Sequence, residues 1–353
     1  MSTKPKPPIF RGTQIRLSIL LLLLSVSLLP AFASESWTLA FYLADGEHFY
    51  KEQQANVKEI CADPDLKNVN IVFLHDRQKT TADKSNLKDM TYVSDCKGFI
   101  DIPDLGTETY STETIKKFFS YVKANYRSDR YFYSITAHGM PPYMSRSGSL
   151  NALHIQQALK GIEPDVLGLD MCYLGSLESL LVLNGTADYI VSASTTLPAA
   201  GNDFTVFINY FQKNHKVSPK DAARAYLNGY RVSYKDTTQP LTVFITKTGE
   251  ELNRTAGLCY DSLRKLTVRM HNRLPENPVT LFGINGDLTA VLRQMNVNYQ
   301  DTFIEYFSTG SSLEGTAVYF PARYGILNKT AYGYRLFLRQ QRLSQAWLNH
   351  LTN

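Results

Sequence analysis

Two residues able to do covalent chemistry stand where apolar runs end. Val166-Leu167-Gly168-Leu169-Asp170-Met171-Cys172 climbs to an acid and a thiol, and a Tyr-Leu-Gly-Ser turn follows. Leu177, Leu180 and Leu181 then recur at helical spacing, so the stretch reads as buried strand, loop and helix. Upstream, Arg130-Tyr131-Phe132-Tyr133-Ser134-Ile135-Thr136-Ala137 reads as a second strand and ends at His138-Gly139. A thiol hydrolase needs a sulfur nucleophile and an imidazole to manage its proton. Open α/β sheets bind ligands at the carboxyl ends of their strands, where both residues fall. Taken singly, each has a plainer reading: a lone Cys at a strand end is ordinarily a small core residue, and a His before Gly an ordinary loop residue. Their equivalent placement in one pattern favours chemistry.

On that reading Cys172 is the nucleophile and His138 protonates the departing amine, then activates water. The main-chain N–H groups of Gly139 and Cys172 are the candidate oxyanion donors, because glycine lets the backbone come close to substrate. Side chains alternate along a strand, so Asp170 shares a face with Cys172. A buried carboxylate there pairs with a basic substrate side chain. The competing role for Asp170 is a helix cap or ion pair.

The surrounding elements must position these residues. Strands are expected at Thr38–Ala44, Val69–Leu74 and Tyr189–Ser194, with a strand-like stretch at Thr91–Ile102. Helices are expected at Phe49–Ile60, Thr112–Asn125 (capped by Ser111 or Thr112) and Ala152–Leu159. Strands alternating with helices imply an α/β fold with a mostly parallel sheet covered on both faces. From about residue 204 the pattern reads as mainly helical: Phe204–Asn214, Pro219–Tyr234, Glu250–Met270, Asp287–Met295 and Tyr334–Leu351.

The first 33 residues read as a signal peptide. Lys4, Lys6, Arg11 and Arg16 precede an apolar run, Leu17 to Leu29, and Ala31-Phe32-Ala33 is a small-residue cleavage site. The run is shorter than a spanning helix ordinarily needs. Residues 34–353 are then one domain, secreted or periplasmic, with no membrane contact after cleavage. The formal charge of +5 falls by those four cations to about +1. No basic face interleaved with aromatics remains, which argues against nucleic-acid binding. Four cysteines are present, Cys61, Cys96, Cys172 and Cys259. Keeping Cys172 free leaves three. Cys61 and Cys96 flank the second strand and could pair in an oxidising compartment, but the odd count favours three buried thiols. No Cys-x-x-Cys or His-x-x-x-His spacing suggests zinc.

Tyr-Ser-Ile-Thr-Ala-His138-Gly139 and Leu-Gly-Leu-Asp170-Met-Cys172-Tyr-Leu-Gly-Ser resemble the two catalytic motifs of the clostripain-like cysteine peptidases. Trp37–Asp45, Asn70–Arg77, Ala187–Ser194, Gly315–Pro321 and Ala346–Leu348 resemble further segments of that family, in the same order. The resemblance implies a caspase-like three-layer sandwich with helical C-terminal additions, and His and Cys strands lying side by side. It implies endopeptidase cleavage of proteins or peptides after Arg or Lys. It also implies that Ala317–Pro321 rejoins the main sheet and that Asp45 and Asp76 occupy family positions. Asp203 is the nearest candidate for a second pocket acid, although Ser194-Thr195-Thr196-Leu197-Pro198-Ala199-Ala200-Gly201 departs from the acidic loop expected there. Arg146, in a Ser/Gly-rich loop, is the candidate autoprocessing residue. No cofactor is called for. Some relatives use calcium, but no recognisable calcium loop is present. The alternative is an inactive secreted homologue that acts as a binding protein. An elbow-type hydrolase would need its His after the nucleophile, and His215, His271 and His350 end no strand-like run.

Overall fold

A computed structural model describes residues 35–44, 46–63, 65–76, 92–106, 108–140, 148–269, 279–280, 283–287, 293, 298–310 and 317–320. The opening strand β1 (Trp37–Leu43) leads to α1 (Gly46–Ile60) and β2 (Val69–His75). Two short strands, β3 (Tyr92–Ser94) and β4 (Phe99–Ile100), precede α2 (Thr112–Asn125). Next come β5 (Arg130–Thr136), α3 (Ala152–Leu159), β6 (Val166–Asp170), α4 (Leu177–Val182) and β7 (Tyr189–Ala193). The second half holds α5 (Phe204–Lys213), α6 (Pro219–Tyr234), β8 (Leu241–Lys247) and α7 (Glu250–Arg269). Strands β9 (Val279–Thr280), β10 (Gly283–Asp287), β11 (Phe303–Thr309) and β12 (Ala317–Phe320) follow.

Among the described residues nine strands make one sheet, ordered β11-β8-β7-β6-β5-β1-β2-β3-β4. The five central strands run parallel, and each edge is finished by an antiparallel pair. Strand alternation divides the core in two. Leu39, Phe41 and Leu43 of β1 meet Ile60 of α1 and the apolar stripes of α5 and α6, including Phe204, Phe207 and Tyr226. Ala40 and Tyr42 point the other way, towards Phe118 and Phe119 of α2, Ile155 of α3 and Leu180 of α4. These are the two helical layers of an α/β/α sandwich.

The helices begin where side chains can satisfy their first N–H groups. Ser111 caps α2, Ser176 caps α4 and Ser218 caps α6 with Pro219 behind it. Asn151 forms a capping box with His154 at α3.

Three expectations need correction. Among the described residues the chain beyond residue 204 carries the three long helices expected there but also two strands that were not: Leu241–Lys247 and Phe303–Thr309 extend the main sheet antiparallel to their neighbours. Both runs are rich in β-branched and aromatic residues. Because β11 takes the edge beside β8, Ala317–Phe320 does not rejoin the main sheet; it pairs with β10 in a separate three-stranded sheet. And Cys61 is joined to Cys96 by a disulfide, with Cα atoms 5.4 Å apart, rather than both being thiols. The β3–β4 turn carries Cys96 alongside the end of α1, which the count of cysteines could not reveal. Cys259 is buried in α7. The helices expected at Asp287–Met295 and Tyr334–Leu351 lie largely outside the described residues.

The disulfide closes a 35-residue separation. Replacing both Cys61 and Cys96 by Ser is expected to lower unfolding free energy by about 2–4 kcal/mol, read from the denaturant midpoint. An unchanged midpoint would contradict the cross-link.

Candidate active site

The site is built by strand register. Strands β5 and β6 pair in parallel with Thr136 opposite Asp170. The ladder runs one step further, with the Ala137 N–H donating to the Asp170 carbonyl at 3.4 Å. Two residues beyond that matched pair on each strand stand His138 and Cys172. His138 and Cys172, far apart in sequence, thereby stand just beyond neighbouring strand ends.

Gly139 makes the approach close. A Cβ at Gly139 would lie 2.9 Å from the Cys172 amide nitrogen and would collide with the Cys172 carbonyl oxygen. Only a residue without a side chain lets the two loops touch here. The segment after β5 is pinned by Leu150, whose N–H donates to the His138 carbonyl at 2.9 Å while its carbonyl accepts the Met140 N–H at 3.0 Å. Gly139's own amide takes no part in that pairing. The His138 ring packs on Phe49, with centroids 4.7 Å apart and planes tilted by 59°. Phe49 sits at a break in α1, where φ is −117° and ψ is 21°. The kink is what aims an aromatic ring from α1 at the imidazole.

Cys172 is half-buried, and burial pushes its thiol up from the ordinary value. Its sulfur accepts the main-chain N–H of Leu197 at 3.3 Å. The next residue, Tyr173, turns the chain with φ of 60°. That turn carries Tyr173 and Gly175 across to the end of β7, where their N–H groups donate to Thr195 and Ala193 at 3.2 and 2.7 Å.

Asp170 is 5% exposed. Tyr230 of α6 donates its hydroxyl to Asp170 Oδ1 at 2.7 Å, and Thr136 donates to Oδ2 at 3.3 Å. The Asn202 main chain supplies a further hydrogen bond. Gly201, at φ of 64°, lies directly over Oδ2, and a Cβ there would collide with it. Burial raises the carboxyl from 3.8 to about 6 despite the three donors that favour the charged form. Holding the charge at neutral pH therefore costs about 3 kcal/mol relative to an unfolded aspartate.

Other anticipated residues have different surroundings. Asp203 does not stand as a free pocket acid: its Oδ1 accepts the Val206 N–H at 3.2 Å and caps α5. A helix start draws a short carboxylate to its unpaired donors. Asp76 accepts the Thr109 hydroxyl at 2.8 Å. Asp45 and Arg146 lie outside the described residues. Phe49, Leu197, Gly201 and Tyr230 escaped the sequence reading. Of these, Gly201 alone left a trace there, closing the turn that begins at Pro198.

The sequence profile of the Clostripain family matches residues 47–303, well over half of the chain. No curated protein sequence matches it. Solved structures do. A secreted C11 cysteine protease from Bacteroides thetaiotaomicron, in complex with an irreversible peptide inhibitor, superposes with a TM-score of 0.63. The two share 18% identity, over 90% of this chain and 99% of that one. An inactive zymogen C11 protease from Parabacteroides distasonis gives a TM-score of 0.64 at 17% identity, over 88% and 99% of the two chains. At such identities the likeness is one of fold.

The Asp170 cluster makes a stability prediction. Because burial raises its pKa in the folded state, its favourable contribution is present at low pH and is lost as pH climbs through about 6. Tyr230→Phe removes one donor to the charged form, so it is expected to cost about 1–3 kcal/mol at pH 7.5 and clearly less at pH 5. Denaturant midpoints at the two pH values measure this; an equal or larger penalty at pH 5 would contradict the assignment.

Proposed function

This chain belongs to the Clostripain family of cysteine peptidases, and we propose that it is an exported endopeptidase that cleaves after Arg and Lys, with Cys172 as nucleophile and His138 as its acid–base partner. The observation that carries the reading is the β5/β6 register, which sets His138 and Cys172 at matched positions beyond Thr136 and Asp170.

The reaction follows from these positions. Cys172 Sγ gives its proton to the His138 imidazole and attacks the scissile carbonyl carbon, and the electron pair of the C=O bond moves to oxygen. The backbone at Gly139 passes close to the Cys172 amide, since a Cβ there would lie 2.9 Å from the Cys172 nitrogen, and on this reading the N–H groups of Gly139 and Cys172 receive that oxyanion. His138, steadied by Phe49, protonates the leaving nitrogen as the C–N bond breaks. The same imidazole then takes a proton from water, which attacks the thioester and frees Cys172. Asp170 is the anionic group two residues before the sulfur. The Gly201 backbone packs against Asp170 Oδ2 and covers it, so on this reading a guanidinium or ammonium of the substrate takes the place of that contact and meets a carboxylate in low-dielectric surroundings. Asp203, committed to its cap, is left out of this pocket.

Export rests on the basic, apolar and small-residue segments of residues 1–33 and is supported by the Cys61–Cys96 disulfide, which oxidising compartments favour. Among the described residues no helix is long and apolar enough to cross a membrane.

Turnover of fluorogenic peptides tests the assignment. Cys172→Ala is expected to abolish it, and His138→Ala to slow it by a factor on the order of 10² to 10⁴. Wild-type-like turnover by either variant would overturn the dyad.

The specificity has a pH signature. Asp170 is charged above about pH 6 and neutral below. At pH 7.5 kcat/KM for Arg or Lys substrates should exceed that for Leu or Ala by at least about a hundredfold. That ratio should shrink as pH falls through about 6. A preference that is flat with pH, or one for acidic or large apolar residues, would remove Asp170 from the pocket while leaving the dyad in place.

A further inference from the structure

Cys172 faces two influences that oppose ionisation: burial and the Asp170 carboxylate two residues away. The phenol of Tyr173 is a third group coupled electrostatically to the sulfur, from the following residue. On the β5 side stands His138, whose ring is packed on Phe49. A thiolate here requires a donor, and the structure offers one from an unexpected place, the loop after β7.

That loop is held at both ends. Before it, the Ser194 N–H donates to the Thr242 carbonyl, and the Thr242 N–H returns to Thr195 Oγ1, both at 3.0 Å. The Thr195 carbonyl accepts the Tyr173 N–H. After it, the Gly201 carbonyl accepts the Tyr234 hydroxyl at 2.8 Å, and Asn202 Nδ2 donates to the Tyr226 carbonyl at 2.8 Å. The Leu197 side chain packs on the core layer formed by α5 and α6. Leu197 N is thereby fixed 3.3 Å from Cys172 Sγ.

We propose that the main-chain N–H of Leu197 is a positioning group for the nucleophile: it stabilises the Cys172 sulfur as a thiolate and fixes its rotamer. An N–H bond to a charged acceptor is roughly twice as strong as one to a neutral acceptor, so this contact favours the ionised form. Substrate then replaces the donor: as Sγ bonds to the carbonyl carbon its charge passes to the oxyanion, and the Leu197 contact weakens. The inference deepens the reading of Cys172 as nucleophile.

The test is the rate of Cys172 alkylation by iodoacetamide as a function of pH, on the full mature chain, with the adduct located by peptide mapping. Leu197→Pro deletes the N–H, whereas Leu197→Ala keeps it and removes only the side chain. Leu197→Pro is expected to move the midpoint of the rate profile up by about one pH unit, a roughly tenfold loss of rate on its rising limb; Leu197→Ala is expected to leave the midpoint in place. Coincident midpoints for wild type and Leu197→Pro, or an equal shift in Leu197→Ala, would overturn the proposal. If Leu197→Pro loses its native circular dichroism, selectively ¹⁵N-leucine-labelled protein decides instead. The Leu197 amide shift should titrate with the alkylation midpoint in wild type and not in Cys172→Ala; a Leu197 shift that ignores that midpoint also overturns it. No peptide substrate is used, so a chain with the expected alkylation profile that cleaves no peptide refutes the peptidase reading and leaves this one intact.

Discussion

The pairing of β5 with β6 is the constraint on which the rest of the site depends. Side chains alternate along a strand, so slipping this register by one residue would send Asp170 to the opposite layer and take Cys172 out of step with His138. The register is secured far from the chemistry. Phe132 and Val166 face the α5–α6 layer, while Tyr133, Ile135, Leu167 and Leu169 face the α2–α3 layer, each essentially without solvent exposure. Core burial on both faces thus fixes where two polar side chains emerge at the carboxyl edge.

A second layer of organisation hangs on Asp170. Its carboxylate gathers Thr136 from β5, Tyr230 from α6 and the Asn202 backbone, joining sheet, helix and the loop after β7 around one buried charge. Such a charge is a net cost at neutral pH, and apolar packing would stabilise the fold better. The cost is intelligible if the charge serves substrate recognition and if the loop it holds presents the Leu197 N–H to sulfur. The same cluster that weakens the fold therefore gives the proposed nucleophile a fixed environment.

Much of this was legible in the sequence, for identifiable reasons. Apolar strands leading to His138 and Cys172 announce themselves because strand ends break a run of hydrophobic residues, whereas the alternation that would put Asp170 on the Cys172 face stops at Asp170, where β6 ends and Cys172 enters a turn. The serine caps and the helices at Thr112–Asn125 and Pro219–Tyr234 follow from local pattern. What stayed hidden depends on long-range pairing. Tyr230 lies sixty residues from Asp170, and Leu197 reaches the sulfur with a backbone group that carries no residue signature. Leu241–Lys247 and Phe303–Thr309 are masked in the sequence by the helical periodicity on either side. Asp203 looked like a pocket acid by proximity in sequence, yet local helix-capping geometry claimed it. The odd number of cysteines beside Cys172 carries no sign of the disulfide, which depends on the turn that brings Cys96 to α1.

The central claim is that matched strand ends make Cys172, and not the buried Cys259, a nucleophile assisted by His138. The most direct measurement is labelling by a substrate-like peptidyl acyloxymethyl ketone ending in Lys, followed by intact mass and peptide mapping. The account predicts one equivalent incorporated on Cys172, none on Cys259, and much slower labelling in His138→Ala. Incorporation elsewhere, or labelling of Cys172 at the same rate with and without His138, would contradict it.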